Sequence, residues 1–201
     1  MGPTDSPPYR LNRRSVVARI LRNRGEALAI SSLGNPSFDL AAAGDSPYNF
    51  YLWGAMGGAL MVGMGLAHAQ STRRVFVFVG DGELMMGLGS LATVAVQRVK
   101  NLSVIVLDNE HYAETGMQPG HSGRGVDIVG IALAAGFPRA CLVRTDAELN
   151  AAAEMLLQCQ GPVLAVVKVG IDAAPTVLPP RDGPFLRSRF RAALLGDVAH
   201  A

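Results

Sequence analysis

The chain has 201 residues, of which 49% are hydrophobic and only 17% charged, against about 25% charged in an average globular protein; it can bury one domain's core and is too apolar for disorder. Lys plus Arg number 18 and Asp plus Glu 16, a net charge of +2 that is too small for a nucleic-acid footprint. Two cysteines, Cys141 and Cys159, exclude a disulfide framework and a four-cysteine metal or iron–sulfur site, so composition predicts a soluble, cytoplasmic protein.

Residues 1–13 carry Pro3, Pro7 and Pro8 without an apolar run and read as a flexible segment rather than a signal peptide. Residues 14–23 place Val16, Val17, Ile20 and Leu21 on one side of a short helix, and residues 27–31 form a first buried strand. Gly34, Asn35 and Pro36 open a loop that runs to Pro47. Residues 51–69 lack formal charge and reach the length of a membrane span. Their five glycines and the polar segment after them instead favour a helix over 57–69 buried against a sheet, with His68 packed or capping.

Residues 75–79 are β-branched or aromatic throughout, the pattern of a strand covered on both faces. Gly80 and Gly82 follow, then a helix over 84–99, with Met61, Met64, Met85 and Met86 as core filler. Residues 102–107 form a second apolar strand and 108–125 a polar loop. Asp127 caps a helix to Ala135, 140–143 is a strand, Asp146 caps a helix to Gln158, and 162–169 is the last strand. The alternation predicts an α/β fold: a doubly wound, mainly parallel sheet with helices on both faces over residues 14–170. Residues 171–201 form an extension, proline-rich and then a short basic helix with Phe185, Phe190, Leu194 and Leu195 on it.

In such sheets ligands bind where strands end and helices begin. Gly80, Asp81, Gly82 and Glu83 lie at such an edge, where glycines let backbone N–H groups approach an anion and the next helix adds its positive end. Asp81 would repel a bare phosphate, which points to a divalent cation between them. At the end of the next strand stand Asp108, Asn109, Glu110 and His111; a carboxylate and an amide from adjacent strand ends are hard oxygen ligands suited to Mg2+.

A strand, Gly-Asp-Gly, a helix, a strand and then Asn resembles the diphosphate signature of thiamine diphosphate enzymes. The resemblance implies that Asp81, the Asn109 side chain and the His111 carbonyl bind Mg2+, and that Gly80 and the N–H groups of Gly82 and Glu83 hold the diphosphate. It implies further contacts from Tyr112 and from the hydroxyls of Ser31 and Ser32. Upstream, Gly54, Ala55, Met56 and Gly57 look like the family's Gly-Ser-Met-Gly turn. There the Gly54 carbonyl would receive the aminopyrimidine's amino group, and Met56 would wedge between the two rings. Asp108 and Glu83 depart from the family's usual Asn and Ser. Residues 115–119 and the basic tail are similar to the sulfopyruvate and phosphonopyruvate decarboxylase branch, whereas that branch's Thr-Gly-x-x-Ser-Arg-Glu segment is absent after the first strand.

The resemblance covers only the diphosphate-binding half. It implies decarboxylation of a small 2-oxo acid to CO2 and an aldehyde, with the activating glutamate supplied by a separate pyrimidine-binding, alpha-type subunit in a hetero-oligomer of homodimeric pairs. None of Glu26, Glu83, Glu110, Glu114, Glu148 and Glu154 falls in a second domain. Glu114 and His111 are candidates for proton transfer or substrate contact, and His121 shares their loop. Arg187, Arg189 and Arg191 read first as a solvated or partner-facing basic surface, and Cys141 and Cys159 as core thiols. A carboligase, a 2-oxoacid oxidoreductase subunit and a non-catalytic cofactor-binding regulatory subunit remain as alternatives.

Overall fold

The computed structural model describes residues 10–172 and 174–196. The chain alternates helix and strand: α1 (Arg13–Leu21), β1 (Leu28–Ser31), α2 (Asn35–Ala42), β2 (Asn49–Tyr51), α3 (Ala59–Ala69), β3 (Val75–Gly80), α4 (Asp81–Met86), α5 (Ser90–Gln97) and β4 (Leu102–Asp108). A small hairpin, β5 (His111–Tyr112) and β6 (Gln118–Pro119), leads through a 3-10 turn to α6 (Ile128–Ala135), β7 (Arg139–Val143), α7 (Asp146–Gln158), β8 (Val163–Lys168) and α8 (Gly183–Leu195).

Six strands form one parallel sheet in the order β2-β1-β3-β4-β8-β7. Every residue of β4 is buried, and all of β3 but its last, because both faces are covered. Ala29, Phe76, Phe78 and Ile105 join one apolar cluster with residues of α1, α2 and α7; Leu28, Ile30, Val77 and Val104 join the other with residues of α3, α5 and α6. The alternate residues of each strand thus feed opposite cores, and truncating a fully buried leucine such as Leu28 or Leu102 costs about 2–5 kcal/mol. From β1 the chain turns outward to β2, and from β3 it turns the other way to β4. The crevice between the C-terminal ends of β1 and β3 is therefore the topological switch point.

Several elements differ from the sequence reading. The loop expected from Gly34 begins instead with α2, because Pro36 sits in its first turn, where proline's missing N–H and fixed φ suit a helix start. The helix expected over 84–99 begins at Asp81 and is divided at residues 87–89 into α4 and α5. Residues 51–69 split into the end of β2, a turn and α3, and among the described residues no helix is long and apolar enough to cross a membrane. Only one face of α3 is buried: Met61 is 37% exposed and Val62 41%, Met86 on α4 is 66% exposed, and His68 is exposed. Met64 and Met85 do pack against the core. The cap of α7 is Thr145, in a capping box with Glu148, rather than Asp146; Asp127 caps α6 as read, accepting from Gly130 N–H.

Residues 1–9 of the expected flexible segment lie outside the described residues, as do 197–201 of the tail. Residues 10–13 are held: Leu11 bridges to Val169, Arg10 pairs with Glu110, and Arg13 pairs with the fully buried Asp39. The extension packs against the sheet. Helix α8 closes the β2 edge, placing Leu186 in one apolar cluster and Phe190 in the other, with the Phe190 and Phe50 rings 5.3 Å apart. Covering an edge strand removes a template for unwanted pairing.

Candidate functional site

At the switch point β3 ends in Gly80, which opens α4, and β4 ends one position past the Gly80–Leu107 pairing. The register therefore sets Asp81 beside Asp108. A cavity of about 140 Å3 opens here, lined by Met56, Gly80, Asp81, Gly82, Glu83, Asn109, His111, Tyr112 and Glu114, with Arg13 and residues 33–36 on its other side. Gly82 is required by the Tyr112 ring: a Cβ there would lie 2.8 Å from Tyr112 Cε1.

Asp81 is 3% and Asp108 1% exposed, and the single hydroxyl of Ser122 lies 2.9 Å from Asp81 Oδ2 and 2.8 Å from Asp108 Oδ1. Burial, and then the charge of Asp108, push the Asp81 carboxyl up to about 6. One hydroxyl proton cannot satisfy two carboxylates, so the pair favours a proton or a cation. Among the described residues no three His, Cys, Asp or Glu side chains converge as a metal cluster. A cation here would need mixed oxygen donors: Asp81, the Asn109 amide oxygen, which now accepts from His111 N–H at 3.0 Å, and a backbone carbonyl. That all-oxygen set, with two acidic groups in reach of one hydroxyl, fits a hard divalent ion.

Asp108 is itself balanced. Its Oδ2 accepts from Lys168 Nζ at 2.7 Å and its Oδ1 from Glu110 N–H at 3.0 Å. Lys168 also reaches Glu110 at 2.7 Å, and Glu110 pairs with Arg10. Burial works to lower the Lys168 ammonium, but its bonds to Asp108 and Glu110 outweigh that and the net shift is upward.

The second part of the site is the turn over residues 53–57, where Trp53 (φ 56°), Ala55 (φ 52°) and Gly57 (φ 81°) are left-handed. Ser32 Oγ donates to the Gly54 carbonyl at 2.7 Å, Trp53 N–H to the Ser32 carbonyl at 2.9 Å, and Gly58 N–H to the Ala55 carbonyl at 2.7 Å. Met56 is left 44% exposed. Glu83 lies between this turn and Gly80. Burial pushes its carboxyl up to about 7 against the opposing pull of the N–H groups of Gly80 and Gly57, and its Oε1 is buried without a partner.

Neither Ser31 nor Ser32 lines the cavity; both are fully buried, Ser31 Oγ against Ser37 Oγ at 2.9 Å and Ser32 Oγ on the Gly54 carbonyl, the contact that ties it to the 53–57 turn. The His111 imidazole is tied to the Asn109 carbonyl (2.8 Å) and His121 to the Tyr112 hydroxyl (2.8 Å). Glu114 is exposed and leans on the β1–α2 turn, where a Cβ on Gly34 would meet its Oε1 at 2.8 Å. Arg189 is paired with Asp45 at 2.6 Å, and Cys141 and Cys159 are free and half-buried. Sequence reasoning missed Ser122, Lys168 and Arg13. Lys168 left a signal, a lone cation at the end of an apolar strand; the other two left none.

A family model described as "Thiamine pyrophosphate enzyme, C-terminal TPP binding domain" matches residues 34–167. Over 159 residues the chain is 40% identical to the sulfopyruvate decarboxylase subunit beta of Methanothermobacter thermautotrophicus, covering 79% of this chain and 82% of that one. Over 164 residues it is 37% identical to the phosphonopyruvate decarboxylase of Streptomyces hygroscopicus, covering 81% of this chain but only 40% of that longer one. The fold is similar to the crystal structure of benzoylformate decarboxylase from Polynucleobacter necessarius, with TM-score 0.70 at 22% identity over 87% of this chain and 36% of that chain.

Proposed function

The chain belongs to the thiamine pyrophosphate enzymes, as their C-terminal TPP-binding domain, and from that premise we propose that it is the diphosphate-binding subunit of a heteromeric, Mg2+-dependent 2-oxoacid decarboxylase. The observation that carries the reading is the meeting of Asp81 and Asn109, from neighbouring strand ends, with Met56 in one cavity. The names of the relatives favour a small 2-oxo acid bearing a second anionic group, of the sulfopyruvate or phosphonopyruvate kind.

In this reading Asp81, the Asn109 amide oxygen and the His111 carbonyl hold Mg2+, while the N–H groups of Gly82 and Glu83 receive the diphosphate beside Gly80. The Gly54 carbonyl, oriented by Ser32, accepts from the aminopyrimidine; Met56 with Ala55 shapes the bend between the rings, and Tyr112 covers Gly82. The cofactor, when bound, supplies the electron sink that takes up the bonding pair left by departing CO2. Glu114 and His111 stand at the cavity as groups able to hold or move a proton at the substrate, and positioning is the protein's larger contribution.

The activating glutamate comes from a separate pyrimidine-binding, alpha-type subunit. Support lies in this chain's own glutamates: Glu110 is engaged by Lys168 and Arg10, and Glu83 lies between the Gly80 and Gly57 backbones. The apolar side chains of Met56, Met61, Val62 and Met86, left exposed around the turn and its helices, are the surface such a partner would cover. The assembly is a hetero-oligomer built from homodimeric pairs, acting in the cytoplasm. The test is turnover of sulfopyruvate or phosphonopyruvate with thiamine diphosphate and Mg2+: none for the purified chain alone, and CO2 plus aldehyde once the pyrimidine-binding chain is added. Robust turnover by this chain alone would contradict the split, and a cofactor-loaded complex releasing no CO2 would contradict the decarboxylase.

A further inference from the structure

Two non-glycine residues of the turn over 53–57, Trp53 and Ala55, hold left-handed φ angles of 56° and 52°. Such conformations persist only where surrounding contacts over-determine them. On the sheet side the restraints are the Trp53 N–H bond to the Ser32 carbonyl (2.9 Å) and the Ser32 hydroxyl on the Gly54 carbonyl (2.7 Å). On the outer side they come from the far end of the chain. The Pro180 carbonyl accepts from the Trp53 indole Nε1 at 2.7 Å, and the Arg181 guanidinium lies 5.3 Å from the centre of the indole ring, within cation–π range.

The segment that makes these contacts is anchored at both ends. The Pro175 carbonyl accepts from Arg14 at 2.7 Å, and Asp182 caps α8 by accepting from Phe185 N–H at 3.0 Å. Helix α8 is seated through Leu186 (1% exposed) and through Phe190 against Phe50, on the strand that runs directly into Trp53. Proline at 179 and 180 narrows the backbone, so the Pro180 carbonyl is presented with little conformational freedom to lose.

We propose that residues 175–182 clamp the Met56 turn from outside, with Trp53 as the positioning residue through which Pro180 and Arg181 hold Gly54 and Met56 in place. This gives the C-terminal extension a task in cofactor binding, and it rests on the reading of the 53–57 turn as the aminopyrimidine side of the site. The clamp touches only that side; the 80–83 turn and Asn109, which take the diphosphate and metal, lie outside it.

The experiment compares calorimetric titrations of the full chain with thiamine diphosphate and with inorganic pyrophosphate, both with Mg2+, for the wild type, Trp53→Phe and Arg181→Gln. Trp53→Phe keeps an aromatic ring and loses the Pro180 bond. Loss of one hydrogen bond predicts thiamine diphosphate binding weakened about fivefold, with pyrophosphate binding changed less than about twofold. Equal weakening of both ligands assigns the contacts to general stability and overturns the clamp, as does unchanged thiamine diphosphate binding in both variants. A wild type that binds neither ligand, alone or with the pyrimidine-binding chain added, overturns the site reading itself. Trp53 is the sole tryptophan, so its emission reads the clamp directly. In Arg181→Gln, a change at an exposed side chain, acrylamide quenching rises and emission moves to the red; emission identical to the wild type's contradicts the contact.

Discussion

The Lys168 ammonium lies 2.7 Å from Asp108 Oδ2, across the last pairing of β4 and β8. This gives Asp108, which stands where the sequence resemblance leads one to expect asparagine, a physical partner: its charge, 1% exposed, is met by a cation in register on the neighbouring strand. Removing one partner of a buried pair leaves an uncompensated charge. Lys168→Met is expected to cost about 3 kcal/mol, the low end for such pairs because Lys168 is partly exposed. Adding Asp108→Asn should recover most of it. Urea unfolding of the two single variants and the double variant measures the coupling; a double variant no more stable than Lys168→Met would show that the two charges are not coupled.

Asp81 makes stability pH-dependent with a definite sign. Its carboxyl rises from 3.8 to about 6 on folding, through burial and then the charge of Asp108. The folded chain therefore keeps a proton that the unfolded chain releases, and this contribution is fully present below about pH 4 and lost as pH rises through about 6. In chelator, Asp81→Asn should gain stability over the wild type progressively between about pH 4 and pH 6 and hold a constant margin above. Mg2+ should shrink the margin by stabilising only the wild type. Thermal unfolding across pH checks both; a margin independent of pH would contradict the buried, raised carboxyl.

Much of the frame could be read from residues alone. The uncharged β-branched runs of β3 and β4 can only be strands covered on both faces, and Gly80-Asp81-Gly82 with Asn109 marks their ends. What escaped was set by tertiary partners or by a second meaning of a residue. Pro36 breaks a helix interior but suits a first turn, so the residues alone predict a loop where α2 stands. Gly87 divides a helix because its backbone packs on Gly57, where a Cβ would lie 2.8 Å from Gly87 N. Met61 and Met86 look like core filler, yet among the described residues both stay exposed, at 37% and 66%. The Ser122 hydroxyl between Asp81 and Asp108, and the reach of Pro180 to Trp53, join residues far apart in sequence and leave no local pattern.

Met56 carries little of the stability of the isolated chain, since its side chain is 44% exposed. Met56→Ala should leave unfolding within about 0.5 kcal/mol of the wild type, while turnover in the assembled enzyme falls on the order of 100-fold through misplacement of the reacting groups. Cofactor affinity should change far less. An unchanged rate would remove Met56 from the site.

The two serines at the end of β1 should part company. Ser31→Ala loses a buried hydrogen bond and Ser32→Ala a partly buried one, each costing about 1 kcal/mol of stability. Only Ser32→Ala, which frees the Gly54 carbonyl, should also weaken thiamine diphosphate binding, by about fivefold. Denaturation and calorimetry on the pair provide the comparison; equal affinities would detach Ser32 from the cofactor.

The most direct measurement is a calorimetric titration of thiamine diphosphate into the wild type and Asp81→Ala, each with and without Mg2+. Saturable binding that requires Mg2+ and disappears in Asp81→Ala is the predicted result. Binding of equal strength in the variant, or in the absence of any divalent cation, would contradict a metal-bridged diphosphate at the ends of β3 and β4.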